Sequence, residues 1–164
     1  MYRRELFADI KYPVGRYYED IGTTYKLLYY ANRISFVNIS TCEYFMRENS
    51  ICHSEFQQKH LDFIRNLDEM ESFLKEKRIY KALEREFKLI KLRTYMALGF
   101  YKVASSKGNN RKLLLNLKSK ILNELMDRNL CLNRREEIYR FLINNNITIY
   151  IFCVKIEEKI KRLL

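Results

Sequence analysis

Residues 79–104, "IYKALEREFKLIKLRTYMALGFYKVA", decide the fold class, because they form the longest stretch with a helical pattern. Apolar and aromatic side chains recur there at three- or four-residue spacing and its multiples, at Tyr80, Leu83, Phe87, Ile90, Ala97, Leu98 and Tyr101. The whole 164-residue chain contains one proline and four glycines, so few positions favour turns. The sequence therefore predicts long helices joined by short connections.

The segments on either side of this stretch extend the helical prediction. From Ser54, which forms a plausible capping box with Gln57, one stripe contains Phe56, Phe63, Ile64, Leu67, Met70 and Leu74. A helix over 111–128 is predicted from Leu114, Leu117, Ile121 and Leu125, and Asn133 with Glu136 resembles another cap. Near the end, "ITIYIFCV" (147–154) favours a strand by β-branching, whereas the spacing of Ile147, Ile151, Val154 and Ile160 favours a helix. Helix is the preferred interpretation for this last segment.

The first 53 residues mix element types. Pro13 ends a short helix in "RRELFADI" (3–10), and Gly15 gives the next turn backbone freedom. "EDIGTTYKLLYYA" (19–31) predicts a helix whose first turn holds Glu19 and Asp20. "RISFVNIS" (33–40) alternates like a strand and could pair with "CEYFMR" (42–47). The predicted fold is mainly α, with a small α/β lobe and short β-hairpin at 1–53, followed by a helical bundle at 54–164.

The net charge of +11 is concentrated in the second part, where residues 54–164 carry +10. Three interpretations remain open: a solvated helix face, contact with an anionic membrane surface, or nucleic-acid binding. Interleaved acids and the lack of a nucleic-acid-binding motif disfavour the last. The four cysteines form no CxxC pair, and Cys52-His53 with His60 fits no zinc spacing, so no metal site is expected. Neither a signal peptide nor a 20-residue apolar run is present, which favours the reducing cytoplasm. Peripheral attachment to the inner face of the plasma membrane stays open.

Several motifs of residues 1–53 occur together in one known family. "MYRRELF", "IKYPVGRYYEDIGTTYKLLYYANRISFVN" and "YFMRENSI" follow one another in that order. This region resembles the acceptor-side half of the catalytic domain of bacterial family 2 glycosyltransferases, which are inverting enzymes of the GT-A type. The match covers about fifty residues, and the basic helical region after Ser54 resembles the C-terminal extension of such enzymes. The α/β lobe would accordingly be part of a GT-A domain.

The resemblance implies a role for each residue of these motifs. Asp20 would be the catalytic base that removes the proton from an acceptor hydroxyl, and Glu19 would hold the geometry or contact the acceptor. Substrate-binding roles would fall to Gly15, Arg16, Tyr17, Arg47 and Ser50. Arg47 and Ser50 match positions near the donor pyrophosphate, where a planar guanidinium pairs well with phosphate oxygens. Met46 departs from the family pattern, which often has Gln, Arg or His there.

One part of the family pattern is missing from the chain. Members begin with a nucleotide-binding half that ends in an Asp-x-Asp motif, which holds a divalent metal and the nucleotide; this sequence has no Asp-x-Asp. The nucleotide-sugar donor and Mg²⁺ or Mn²⁺ are thus implied only for a complete enzyme, and this chain is expected to be inactive alone.

The expected function is the acceptor-binding and catalytic-base portion of an enzyme for capsule or exopolysaccharide synthesis. The expected partners are a glycan or lipid-linked acceptor and a separate nucleotide-binding half. The alternative is a non-enzymatic helical interaction or membrane-surface module, with homodimerisation left open.

Overall fold

In a computed structural model, the structure describes residues 2–43, 45, 54–108, 110–161 and 163. All regular secondary structure among these residues is helical. The eight α-helices are α1 Thr24–Tyr30, α2 Asp62–Glu76, α3 Tyr80–Thr94, α4 Lys102–Ser105, α5 Arg111–Lys120, α6 Leu122–Met126, α7 Arg134–Asn145 and α8 Ile147–Lys161. Two 3₁₀ turns, Arg4–Phe7 and Gln58–Leu61, precede α1 and α2, and a π-helical segment, Tyr95–Tyr101, joins α3 to α4.

Helices α2 to α8 enclose one apolar core, as the sequence predicts for the second part of the chain. Phe63 of α2 meets Tyr95 edge to face with ring centroids 5.1 Å apart, and Phe100 meets Tyr150 of α8 in the same way at 6.2 Å. The single helix predicted over 111–128 is divided at Ile121 into α5 and α6, but its predicted apolar stripe is confirmed: Leu114, Leu117, Ile121 and Leu125 are all buried. Edge-to-face ring pairs and close-packed leucines of this kind are the main stabilising contacts of a helical core.

The long central helix differs from its predicted pattern. Helices α3 and α4 and the π segment run continuously from Tyr80 to Ser105. The predicted stripe is wrong in three places, since Leu83 and Ile90 are 40% and 47% exposed and Ala97 is also exposed. Leu83 and Ile90 lie before the π segment, which therefore affects only the later part of the stripe: from Tyr95 onward, its wider turns shift the register of the buried face. The residues it brings to the core are Tyr95, Met96, Gly99 and Phe100.

The α/β lobe and β-hairpin predicted for residues 1–53 are contradicted. No strand occurs among the residues that the structure describes, and residues 33–40 have no regular structure. Phe36 of this segment is 89% exposed and Ile39 is 72% exposed. An alternating segment becomes a strand only when a neighbouring strand completes its hydrogen bonds and covers one face, and the described residues provide no such strand.

The remaining predictions about element boundaries had mixed outcomes. Asn133 caps α7 in a capping box with Glu136, as predicted. The last segment is helix α8, also as predicted. The predicted Ser54–Gln57 capping box is wrong. Gln57 is itself the N-cap of the 3₁₀ turn, and it forms a box with His60, whose Nδ1 accepts the Gln57 N–H at 2.9 Å. The short N-terminal helix is reduced to the 3₁₀ turn Arg4–Phe7.

Candidate functional site

Five of the predicted site residues lie together in one tight turn over residues 15–20, which we call the acidic turn: Gly15, Arg16, Tyr17, Glu19 and Asp20. Gly15 has φ +77°, and no atom lies within 4 Å of the position that a Cβ would take. Glycine is therefore favoured there by backbone conformation and not by lack of space. Tyr18 has φ +58°, a left-handed conformation that costs an L-residue about 1–2 kcal/mol. A strained tyrosine persists only where its surroundings hold the backbone in place.

A buried asparagine of α2 supplies that restraint. Asn66 is fully buried, and its side-chain amide donates to the carbonyl oxygens of Tyr17 at 3.1 Å and Tyr18 at 2.8 Å. One turn earlier on the same face of α2, Asp62 accepts the backbone N–H of Tyr17 at 3.0 Å. Gly22 packs so closely that a Cβ there would lie 3.1 Å from Asn66 Oδ1. These contacts fix the acidic turn on the first half of α2.

Arg16, predicted to bind substrate, is engaged within the fold. Its guanidinium lies 2.9 Å from Glu69 Oε1 and donates to Asn66 Oδ1 at 3.3 Å. The hydrogen bond from Arg16 lowers the pKa of Glu69, against the opposing effect of partial burial, and Arg65 contributes in the same direction. The same hydrogen bond raises the pKa of Arg16. This ion pair makes Arg16 a third attachment of the turn to α2.

Glu19 and Asp20 are both exposed. The prediction that they lie in the first turn of a helix is wrong, because both precede α1. Helix α1 begins only at Thr24, because the Asp20 carbonyl first accepts the N–H groups of Thr23 at 3.1 Å and Thr24 at 2.9 Å. Asp20 Oδ1 also accepts the N–H of Ile21 at 2.9 Å. One carboxylate oxygen of Asp20 therefore helps to shape the turn, while its side chain remains open to solvent.

The aromatic side chain of Tyr17 is covered on more than one side. It meets the buried ring of His60 edge to face at 5.2 Å, and the Lys59 ammonium lies 4.8 Å from its centroid. A ring covered in this way could stack on a sugar only if the lysine moved. Arg47 and Ser50 lie outside the described residues.

A cleft of about 810 Å³ opens beside the acidic turn, and Tyr18 forms part of its wall. Phe56, Leu98 and Tyr101 add apolar and aromatic surface. The charged lining residues comprise five lysines and two glutamates, so the cleft is basic on balance: Lys102, Lys107, Lys155, Lys159, Lys161, Glu55 and Glu158. Burial raises the pKa of Tyr101 to about 12, and its hydrogen bond to Glu158 contributes, so its phenol is neutral near pH 7. The cleft thus combines aromatic walls with ammonium groups, a mixture suited to a polar ligand that carries negative charge.

The metal implied by the family resemblance finds no fitting residues here. Within the described ranges, no group of three or more histidine, cysteine, aspartate or glutamate side chains could hold an ion. His60 is enclosed by Gln57, Tyr17 and Ser54, whereas Cys52 and His53 lie outside the described residues. Cys42 and Cys131 are exposed free thiols and Cys153 is a partly exposed one.

Sequence reasoning missed the α2 residues that hold the turn. Asp62, Asn66 and Glu69 follow at four- and three-residue spacing and so share one helix face. The available signal was Asn66 itself, an uncharged polar residue between Phe63 and Leu67 in an otherwise apolar stripe. A buried asparagine needs hydrogen-bond partners, and here they come from a loop more than forty residues away.

Comparisons with known proteins found no relative of this chain. No protein-family model, no curated protein and no solved structure matches it at a significant level. No helix of the described residues has the length and apolar character needed to cross a membrane.

Proposed function

We propose that this chain is the acceptor-binding and catalytic-base portion of an inverting glycosyltransferase that extends a bacterial surface glycan. The observation that carries the proposal is the acidic turn: two exposed carboxylates follow a strained tyrosine that a buried asparagine and an ion pair hold in place. Strain of this kind is often retained where a side chain must keep a fixed direction. This turn lies within residues 11–31, the stretch whose motifs resemble the family.

The chemistry assigned to the turn is a single proton removal. A hydroxyl of the acceptor glycan attacks the anomeric carbon of a nucleotide-sugar, the new C–O bond forms, and the bond to the nucleoside diphosphate breaks. Asp20 accepts the hydroxyl proton, and the diphosphate leaves with the bonding electron pair. Glu19, the neighbouring exposed carboxylate, hydrogen-bonds to acceptor hydroxyls and orients them. The nucleotide-sugar and its metal would be bound by a separate nucleotide-binding half.

The adjoining cleft fits an acceptor better than a small neutral ligand. Sugar rings pack on aromatic faces, and Tyr18, Phe56 and Tyr101 line one region of the cleft. Lysines elsewhere in the lining would meet acidic sugars or the phosphates of a lipid-linked acceptor.

The test is to measure acceptor binding separately from donor binding. A panel of acidic capsular oligosaccharides would be titrated into the isotope-labelled chain, with backbone amide shifts as the readout. We expect at least one oligosaccharide to shift the amides of residues 17–21, and D20N to weaken that binding while its spectrum stays otherwise native. Calorimetry with nucleotide-sugars and Mn²⁺ should give no binding heat for this chain alone.

The matched control is D68N, since Asp68 is an exposed aspartate on α2 outside the acidic turn. It should bind the oligosaccharide as the wild type does. Shifts confined to other parts of the chain, equal binding by D20N, or no response to any oligosaccharide at millimolar concentration would refute the acceptor role. Nucleotide-sugar hydrolysis by the isolated chain would refute the division of labour.

A further inference from the structure

Helix α8 is apolar on two opposite faces, and the bundle covers only one of them. Ile147, Tyr150 and Val154 are buried against the other helices. The opposite side carries Ile149, Phe152, Ile156 and Ile160, followed by Leu163 just beyond the helix, at spacings of three or four residues. We call these five residues the outer stripe; from Ile149 to Ile160 it runs roughly 16 Å along the helix.

The outer stripe is exposed along its whole length. Phe152 is 65% exposed and Leu163 is 78% exposed, while the three isoleucines range from 43% to 52%. Scattered exposed apolar residues are ordinary, but a continuous row on one helix face indicates a surface that binds something. A helix that is apolar on both faces is fully covered in most globular folds.

The charges along one edge of the outer stripe are positive. Lys155 and Lys159 are exposed, lie one helical turn apart on the edge of the stripe, and form no ion pair with a described carboxylate. Both also line the basic cleft, together with Lys102 and Lys107.

The acidic residues of α8 are engaged on its other side. Glu157 pairs with Arg135 and accepts from Tyr139 and Lys161, and Glu158 accepts from the Tyr101 hydroxyl at 2.6 Å. The edge of the outer stripe that carries Lys155 and Lys159 is therefore positive.

We propose that the outer stripe, with Lys155 and Lys159, docks onto the anionic surface of a lipid bilayer. The apolar side chains enter the boundary between headgroups and acyl chains, and the two ammonium groups contact lipid phosphates. Apolar rows flanked by lysines are the usual form of helices that lie in the membrane interface. This proposal is independent of the glycosyltransferase function.

Charge complementarity favours a bilayer over a second copy of the chain. Two outer stripes packed antiparallel, face to face, would bring the lysine-bearing edges of both copies together and cause repulsion. In a parallel pair, each lysine-bearing edge would instead face the other copy's edge that carries Glu157, whose carboxylate is already engaged by Arg135 and Lys161. An anionic lipid surface instead attracts each lysine, with an effect of about fivefold in affinity per residue. The favourable contribution of apolar burial is available in either case, so charge decides between them.

The experiment is flotation of the full chain with vesicles of phosphatidylcholine alone or with added phosphatidylglycerol. The wild type should float with the anionic vesicles, weakly with the neutral ones, and less as salt is raised. F152A/I156A should lose at least about tenfold in affinity, since two large side chains no longer insert. K155Q/K159Q should lose roughly thirtyfold on anionic vesicles and little on neutral ones.

Matched controls separate docking from general effects. Phe141 of α7 is as exposed as Phe152, at 65%, so F141A removes an equivalent ring from another helix. K81Q/K120Q removes the same charge from exposed positions on α3 and α5. Both controls should keep most of the wild-type binding, and circular dichroism should show native helix content in every variant.

Three results would overturn the proposal. The wild type could fail to float with anionic vesicles, or the α8 variants could bind no worse than the controls. Sedimentation could instead show a wild-type dimer that F152A/I156A abolishes, with no vesicle binding by the wild type; this result would assign the outer stripe to a second copy.

Discussion

Replacing Asn66 tests whether one buried amide holds the acidic turn. The substitution N66A removes two donors to the carbonyls of Tyr17 and Tyr18 and the acceptor of Arg16, all within hydrogen-bond distance in the structure. Each lost hydrogen bond at a buried site costs about 1 kcal/mol, and the deleted side chain leaves a small cavity. The free energy of unfolding should therefore fall by about 2–4 kcal/mol, a large share of the ~5–15 kcal/mol typical of a domain.

The assay is urea unfolding followed by circular dichroism. With a slope near ~2 kcal/mol per molar urea, the midpoint should fall by roughly 1–2 M. The matched control is N116A on α5, where the asparagine is exposed and also lies within a helix. Both substitutions gain the same helix propensity, so the difference between them isolates the hydrogen bonds and packing of Asn66.

A second readout places the effect in the turn. Without Asn66, the left-handed conformation of Tyr18 loses one of the restraints on its backbone, so hydrogen exchange at the Ile21 and Thr24 amides should accelerate. Exchange in α5 should stay as it is in the wild type. If N66A and N116A had the same stability within about 0.5 kcal/mol, the reasoning would be refuted, and the restraint on Tyr18 would have to come from elsewhere.

Two further predictions concern other parts of the fold. Arg78 has φ +58° at the exposed end of α2, where backbone hydrogen bonds already close the helix. The substitution R78G should relieve this strain and raise the free energy of unfolding by about 0.5–1 kcal/mol. Urea unfolding measures the change, and a loss of stability would contradict the prediction. Burial alone would raise the pKa of Glu157, but hydrogen bonds from Tyr139 and Lys161 outweigh it and lower the pKa to about 2. Glu157 therefore stabilises the fold above its ordinary pKa of 4.5, and this contribution, at most about 3 kcal/mol, is lost as pH falls from about 4.5 through 2. The stability gap between wild type and E157Q should close over that window, whereas E86Q, at an exposed position of α3, should match the wild type in stability at neutral pH.

The sequence was most informative where structure depends on neighbours along the chain. The leucine spacing of α5 and α6 and the Asn133–Glu136 box involve residues within a few positions of one another. Such patterns can be interpreted from the local sequence alone, because side chains three or four residues apart share a helix face. The same reasoning preferred a helix for the last segment over its strand-like composition, and the structure agrees.

Predictions failed where structure depends on distant partners. The alternation in residues 33–40 needs a second strand, which the described part of the chain does not offer. The predicted stripe of the central helix failed at Ala97 in the π segment, whose Gly99 lies against Phe63, where a Cβ would come within 3.1 Å of the ring. Nothing in the local sequence marks that contact, because it joins two helices. The hydrogen bonds from Asn66 to the acidic turn likewise join residues that are far apart in the sequence.

The distribution of acids around the acidic turn bears on how Asp20 would act. The neighbouring carboxylates of α2 have defined partners: Asp62 accepts the Tyr17 N–H and Glu69 pairs with Arg16. Glu19 and Asp20 are instead exposed, and the only partner of either carboxylate among the described residues is the Ile21 N–H, which Asp20 Oδ1 accepts at 2.9 Å. Proton removal from a sugar hydroxyl proceeds best in a site from which bulk water is excluded. Under the proposed function, the arriving acceptor and the nucleotide-binding half must therefore exclude water from Asp20. The α2 contacts would fix the direction of the carboxylate beforehand, and assembly of the complete site would enclose it.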